Sequence, residues 1–197
     1  MIVDKNYCMS SFLMYRTIID KSITFVDDLI PQPDDEIENR IPIRNSEELE
    51  RALRKNIEEA TADGKAALAL SGGIDSAILA KFMPKGSVAY TFRCNVPGIQ
   101  VTDETLAAAK YAQECGIEHR IVEIYWDDFA NFAPALIKQK GAPIHSIEVQ
   151  IYKAALQAKK DGFTKFIFGE SADCIYGGLS KLLSRDWKVG EFIERYS

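Results

Sequence analysis

Two short stretches of this chain carry residue types whose spacing suits phosphate and cation chemistry. They are Ser71-Gly72-Gly73-Ile74-Asp75-Ser76 and Gly169-Glu170-Ser171-Ala172-Asp173. In the first, adjacent glycines allow a close approach of the backbone to a ligand and φ values closed to other residues. The residues that follow, Ile78-Leu79-Ala80-Lys81-Phe82, suit a helix whose N-terminus offers unpaired N–H groups and a positive dipole end. Ser71 and Ser76 add hydroxyl donors. Asp75 is a carboxylate where an anion would be repelled, an arrangement that makes sense with a divalent cation between acid and phosphate. The second stretch supplies two further carboxylates, Glu170 and Asp173. Each acid also has a plain structural role open to it. Asp75 suits a first helical turn, Glu170 can accept from N–H groups of its own turn, and Asp173 can cap a helix. None of these roles precludes contact with a ligand.

The elements around the two stretches form a repeating pattern. Ala66 to Leu70 is a short apolar run with the length of a buried strand, so the chain there reads strand, glycine turn, helix. Ser87 to Phe92, Arg120 to Tyr125 and Lys165 to Phe168 read as three further strands. Helices are expected from Ser46 (as N-cap) to Ala62, from Asp103-Glu104 with Leu106, Ala107, Tyr111 and Ala112 on one face, from about Asp127 to Lys138, and from about Ser146 to Lys160. Upstream, the apolar and aromatic segment from Ser10 to Ile30 can supply a helix and then a short strand, with a periodicity too mixed to decide, and a last helical region runs toward Ser197. Alternating apolar strands and helices imply an α/β fold, a doubly wound parallel sheet covered on both faces. The ligand crevice of such a sheet lies at the C-terminal ends of the strands, where strand order reverses. Both glycine-and-acid turns follow strands, so the fold is expected to bring them side by side. Pro31-Gln32-Pro33-Asp34-Asp35-Glu36 is a turn-rich acidic break, which divides a 1–33 arm from a 34–197 domain.

The composition is that of a globular protein: 47% of the 197 residues are hydrophobic and 27% charged, enough to build a sizeable core. The net charge of −5 argues against nucleic acid or an anionic membrane as partner. No apolar run approaches the length of a membrane span and the N-terminus lacks the apolar core of a signal peptide, so a cytoplasmic protein is expected. Cys8, Cys94, Cys115 and Cys174 are far apart and form no CxxC pair, which suggests reduced thiols rather than zinc or a disulfide framework.

The Ser71 to Ser76 stretch resembles the pyrophosphate loop of the N-type ATP pyrophosphatases, the PP-loop superfamily of asparagine, GMP and NAD synthetases and several tRNA-modifying enzymes. The segment from Phe168 to Gly178 resembles the SGEGxDExFGG signature of the asparagine synthetase family, with Glu170, Asp173, Gly177 and Gly178 in matching positions. The resemblance implies a Rossmann-like, adenine nucleotide alpha hydrolase-like fold. It also implies an AMP-forming ligase that activates a carboxylate such as aspartate with ATP, releases pyrophosphate and lets ammonia displace AMP. On this reading Ser71, Gly72, Gly73 and Ser76 cradle the pyrophosphate, Leu70 and Phe92 present strand ends to adenine, and Gly169 completes the nucleotide set. Asp75 and Asp173 hold Mg²⁺, and Glu170 handles a proton or orients the amine.

Departures from the pattern bear on the substrate side. Cys174 replaces the usual Glu of the signature and Phe168 its usual serine. The family's preceding glutaminase domain has no counterpart here, so ammonia is expected to be free or delivered by a separate glutaminase subunit. The family's downstream lysine has no clear match before Ser197, so Lys181 or Lys188 stands in, a partner supplies one, or the chain is incomplete or altered in function. Lys181, Arg185 and Lys188 either face the phosphates or form a solvated surface. His145 and the pair Asp103 and Glu104 are weaker candidates, the latter equally suited to capping. Three functions stay open: the asparagine synthetase-like ligase, a PP-loop enzyme with another acceptor (NAD synthetase-like or sulfur transfer), and a non-catalytic nucleotide-binding subunit. A homo-oligomer fits any of them.

Overall fold

The computed structural model describes residues 2–15, 18–27, 41–98, 103–140, 143–169, 172, 188 and 191. In chain order the elements are β1 (Ile2–Val3), α1 (Lys5–Tyr15), β2 (Ile23–Thr24), α2 (Ser46–Thr61), β3 (Ala66–Ala69), α3 (Ile74–Phe82), β4 (Val88–Asn95), α4 (Thr105–Cys115), β5 (Glu118–Tyr125), α5 (Trp126–Lys140), α6 (Ser146–Lys160) and β6 (Lys165–Ile167). They fall into two compact units. One is drawn from within Met1–Glu36, Asp127–Val149 and Asp173–Ser197, the other from within Ile37–Trp126 and Gln150–Ala172.

In the first unit β1 and β2 pair in parallel, with Ile2 opposite Ile23. The Asp4 carboxylate accepts from the Tyr7 N–H and so caps the start of α1, whose Cys8 is fully buried. The mixed periodicity upstream thus resolves into a helix that begins earlier than Ser10, because Asp4 supplies the start signal.

The second unit holds a four-stranded parallel sheet in the order β5-β4-β3-β6. The chain moves outward from β3 to β4 to β5 and then returns to place β6 on the other side of β3. That return is the reversal a doubly wound sheet requires. One face carries the main core, where Leu68, Leu70 and Ala89 of the strands meet Ile57 of α2, Leu79 and Ala80 of α3 and Ala108 and Ala112 of α4. Full burial of Leu68 and Leu70 stabilises the fold by roughly 1.5–3 kcal/mol each. Tyr90 lies on the opposite face of β4, where its hydroxyl donates to Asp161 beyond α6 and its ring meets Phe163 and Phe166 edge-on.

Two local expectations change. The N-cap of α2 is Asn45, whose side chain accepts from the Glu48 N–H at 2.9 Å, and Ser46 is the first helical residue. Glu48 reciprocates by accepting from the Arg44 N–H at 2.8 Å, and this exchange outcompetes a serine cap one residue later. In α4 the inward face is Thr105, Ala108 and Ala112, while Leu106 is 81% exposed. The Asp103 carboxylate accepts from both the N–H (2.9 Å) and the hydroxyl (2.6 Å) of Thr105, which fixes the helix start and hence its phase. The inward alanines let α4 sit close to the sheet.

Candidate nucleotide site

The first glycine turn begins where β3 stops. Ala69 is the last residue of β3 paired with β4, opposite Tyr90, and the Leu70 N–H still donates to the Tyr90 carbonyl at 2.9 Å. Beyond that point β4 continues to Asn95 alongside β5 alone. Phe92 therefore lies past the end of β3, half-buried and opposite Val122. The strand end expected at Phe92 is an end only on the β3 side.

The turn is held by its two serines. The Ser71 N–H donates to the Ser76 hydroxyl at 3.0 Å, and the two hydroxyl oxygens lie 2.9 Å apart. The Ser71 hydroxyl also accepts from the Gly73 N–H at 3.1 Å. Ser76 is only 5% exposed and its oxygen lies near the Ser71 and Gly73 carbonyls as well, so it acts inside the turn rather than at its surface. Ser71 is half-buried and nearer the solvent. The expectation that both hydroxyls reach a ligand thus divides, with Ser76 shaping the loop.

Gly73 is the N-cap of α3, with extended backbone (φ −85°, ψ 158°) and no side-chain cap. The N–H groups of the first turn have no intrahelical acceptor, and Ile74 beside them is 71% exposed. This combination leaves the positive end of α3 open to an anion. None of Gly72, Gly73 and Gly169 takes the left-handed backbone, so their use here is close approach. A Cβ on Gly72 would lie 3.2 Å from the Cβ atoms of both Glu104 and Ala107. A Cβ on Gly169 would lie 3.1 Å from the Asp75 carbonyl carbon and from the Ser76 nitrogen. Gly169, two residues after β6, therefore lies against the first turn of α3, backbone against backbone. Pairing of β6 with β3, with Leu68 opposite Ile167, sets the register that brings Gly169 there.

Asp75 sits half-buried in the first turn of α3, and among the described residues no hydrogen bond or ion pair engages its carboxylate. No group of three or more His, Cys, Asp or Glu side chains suited to a metal occurs among the described residues. Among the described residues the Asp75 carboxylate fits a magnesium ion held by a carboxylate and substrate phosphates together. Glu170, Asp173, Lys181, Arg185, Cys174, Gly177 and Gly178 lie outside the described residues.

Other candidates take definite places. Glu104 accepts from the Gly72 N–H at 3.2 Å, so it reaches the turn in addition to opening α4. Asp103 is committed to Thr105, whose hydroxyl and N–H hold its carboxyl below the usual range. The Nδ1 atom of His145 accepts from the Ile147 N–H at 3.4 Å, and the His145 N–H donates to Glu148, both within the other unit. The Lys188 N–H donates to Glu191 at 3.3 Å.

Two site residues gave no strong signal in the sequence. The Thr91 hydroxyl donates to the Leu70 carbonyl at 2.6 Å and lies 2.7 Å from His119 Nε2. A hydroxyl has one proton, so with Thr91 donating to Leu70, His119 donates through Nε2. Burial pushes the His119 pKa down, which keeps its ring neutral near pH 7. A hydroxyl within the apolar strand around Thr91 was the one available cue.

A parallel sheet whose strand order reverses beside a glycine turn and an open helix N-terminus defines a nucleotide-binding α/β protein. The family model for asparagine synthase matches residues 47–195, from α2 past both turns. The chain belongs to the asparagine synthase family, a PP-loop family whose members use ATP. No curated protein matches the chain. Among solved structures it is similar to an NMN synthetase from Francisella tularensis, at 16% identity and a TM-score of 0.42 over 70% of this chain and 60% of that one. It is also similar to a predicted subunit of a tRNA methyltransferase from Methanocaldococcus jannaschii, at 18% identity and a TM-score of 0.34 over 64% of this chain and 58% of that one. The chain thus spans about three fifths of the length of either protein. No helix among the described residues is long and apolar enough to cross a membrane.

Proposed function

We propose that the chain is an ATP-dependent, AMP-forming amide ligase of the asparagine synthetase kind. A carboxylate substrate, aspartate or a similar acid, attacks the α-phosphorus of ATP. The bond from that phosphorus to the bridging oxygen breaks, and pyrophosphate leaves on the turn from Ser71 to Ser76. Ammonia then attacks the acyl carbon, AMP departs with its oxygen, and the proton lost by nitrogen passes to a base, for which Glu170 is the candidate.

The observation that supports this reading is the close approach of Gly169, the residue before Glu170, to the Asp75 and Ser76 backbone. The N–H groups at the start of α3 would take the charge developing on pyrophosphate. Magnesium bound with ATP would neutralise phosphate charge, held by Asp75 and, as the resemblance implies, Asp173. Lys181 is the candidate cation toward the α-phosphate, and ammonia would be free or come from a separate glutaminase subunit. The chain would work without nucleic acid or membrane, in the cytoplasm.

Pyrophosphate release from Mg·ATP tests the proposal. Stimulation by aspartate and ammonia together supports it. Stimulation only by a different acid moves the assignment to another acceptor, and tight ATP binding with no release under any acceptor refutes the ligase.

A further inference from the structure

The peptide unit joining Leu70 to Ser71 is where strand becomes phosphate turn, and side chains hold it from both sides. Its carbonyl accepts from the Thr91 hydroxyl at 2.6 Å, and its N–H donates to the Ser76 hydroxyl at 3.0 Å. The strand ladder stops one residue earlier, with the Leu70 N–H on the Tyr90 carbonyl. Rotation of this peptide plane would break both side-chain bonds together and re-aim the N–H groups that follow it. Thr91 is 2% exposed and is itself fixed by His119 Nε2 at 2.7 Å from β5. The line from His119 to Thr91 to Leu70 therefore crosses three adjacent strands, and the turn lies at its end.

We infer that Thr91 and His119 are positioning residues that set the orientation of the Leu70–Ser71 peptide and so the aim of the phosphate turn. The inference rests on the turn binding phosphate, as proposed above. Neither residue touches the ligand: His119 acts through Thr91, and Thr91 through the carbonyl. Thr91→Val keeps the shape and removes the donor, whereas Thr91→Ser keeps the donor. His119→Gln retains an N–H near the Nε2 position, and His119→Leu does not.

The test uses the full chain labelled with ¹⁵N, with inorganic pyrophosphate and Mg²⁺ as probe and thermal melting in parallel. Thr91→Val and His119→Leu are expected to move the free-state Ser71 and Gly73 amide signals and to weaken pyrophosphate binding roughly tenfold, the scale of one lost hydrogen bond. Thr91→Ser and His119→Gln are expected to stay within about twofold of the parent. A merely structural role would lower the melting temperature equally in all variants without this rescue. Cooperatively folded Thr91→Val with parental Ser71 signals and parental affinity overturns the inference. So does Thr91→Ser failing as badly as Thr91→Val. Should Thr91→Val not fold, His119→Leu, which removes only the outer link, decides in the same way. If the parent itself binds no pyrophosphate, the proposed function fails, and the Ser71 signal alone still decides the positioning.

Discussion

Replacing Gly169 by alanine probes the contact on which the site depends. The new Cβ would stand 3.1 Å from the Asp75 carbonyl carbon, 3.1 Å from the Ser76 nitrogen and 3.3 Å from the Asp75 Cβ. Carbon contacts at rest lie about 3.5–4.0 Å apart, so residue 169 and the first turn of α3 must separate by several tenths of an ångström. The obstructing atoms are mainly backbone of the first turn of α3 and cannot rotate aside. Overpacking of this kind costs ~1–3 kcal/mol. For a chain of this size each kcal/mol lowers Tm by about 2–4 °C, so a fall of roughly 2–12 °C is expected. The same displacement moves Asp75 and the N–H groups beside it. Since misplacement near 1 Å can cost about a hundredfold in rate, a shift of a few tenths should lower turnover by roughly an order of magnitude. Differential scanning calorimetry and pyrophosphate release from Mg·ATP read the two effects on the same protein. Parental Tm together with parental turnover would refute the packing of Gly169 on the first turn of α3.

Three further outcomes are expected. Asp75→Asn should abolish magnesium-dependent ATP turnover while leaving Tm within about 1 °C, since among the described residues nothing is bonded to this carboxylate; undiminished turnover removes it from the metal site. Glu104→Gln should tighten pyrophosphate binding by a few-fold, because a carboxylate that holds the Gly72 N–H at 3.2 Å both competes with phosphate and repels it; weaker binding by calorimetry would instead make Glu104 a ligand. Asp161 is held below the usual carboxylate range, chiefly by the Tyr90 hydroxyl and then by Arg120 at 2.7 Å, so its contribution to stability is full above an unfolded pKa of about 3.9 and lost as pH falls through the lower folded value. Tyr90 has the opposite sign: burial, and next the Asp161 bond, push its phenol up to about 12, so its share persists below about pH 10 and is lost between there and about 12. Stability curves of Tyr90→Phe and Asp161→Asn against pH should lose these respective limbs, and unchanged limbs would count against the network.

Much of the sheet was readable because each parallel strand is a short apolar run and each turn is marked by glycine. The reversal that places β6 beside β3 follows from the alternation of strands and helices, and it sets Gly169 against the first turn of α3. On α4 the expected face holds at Tyr111 and Ala112, which pack on the core, and fails at Leu106 and Ala107, which are exposed, because the small Ala108 that lets α4 lie close to the sheet carries little hydrophobic weight. The α2 cap shifted by one residue because Ser46 and Asn45 are both good caps, and the reciprocal Glu48 bonds chose between them. At the site, Asp75 and the glycines announce themselves by type and spacing. Thr91 and His119 do not, since their contacts join β3, β4 and β5 across 21 and 28 positions of sequence and exist only once strand register is set.

The central claim is that the turn from Ser71 to Ser76, with Asp75 beside it, is a polyphosphate site. A crystal structure with Mg·ATP tests it most directly. The account predicts phosphate oxygens on the N–H groups from Gly72 to Ser76, the Asp75 carboxylate on the metal, and Glu104 displaced from the Gly72 N–H. Phosphates bound elsewhere, with Glu104 still on Gly72, would contradict it.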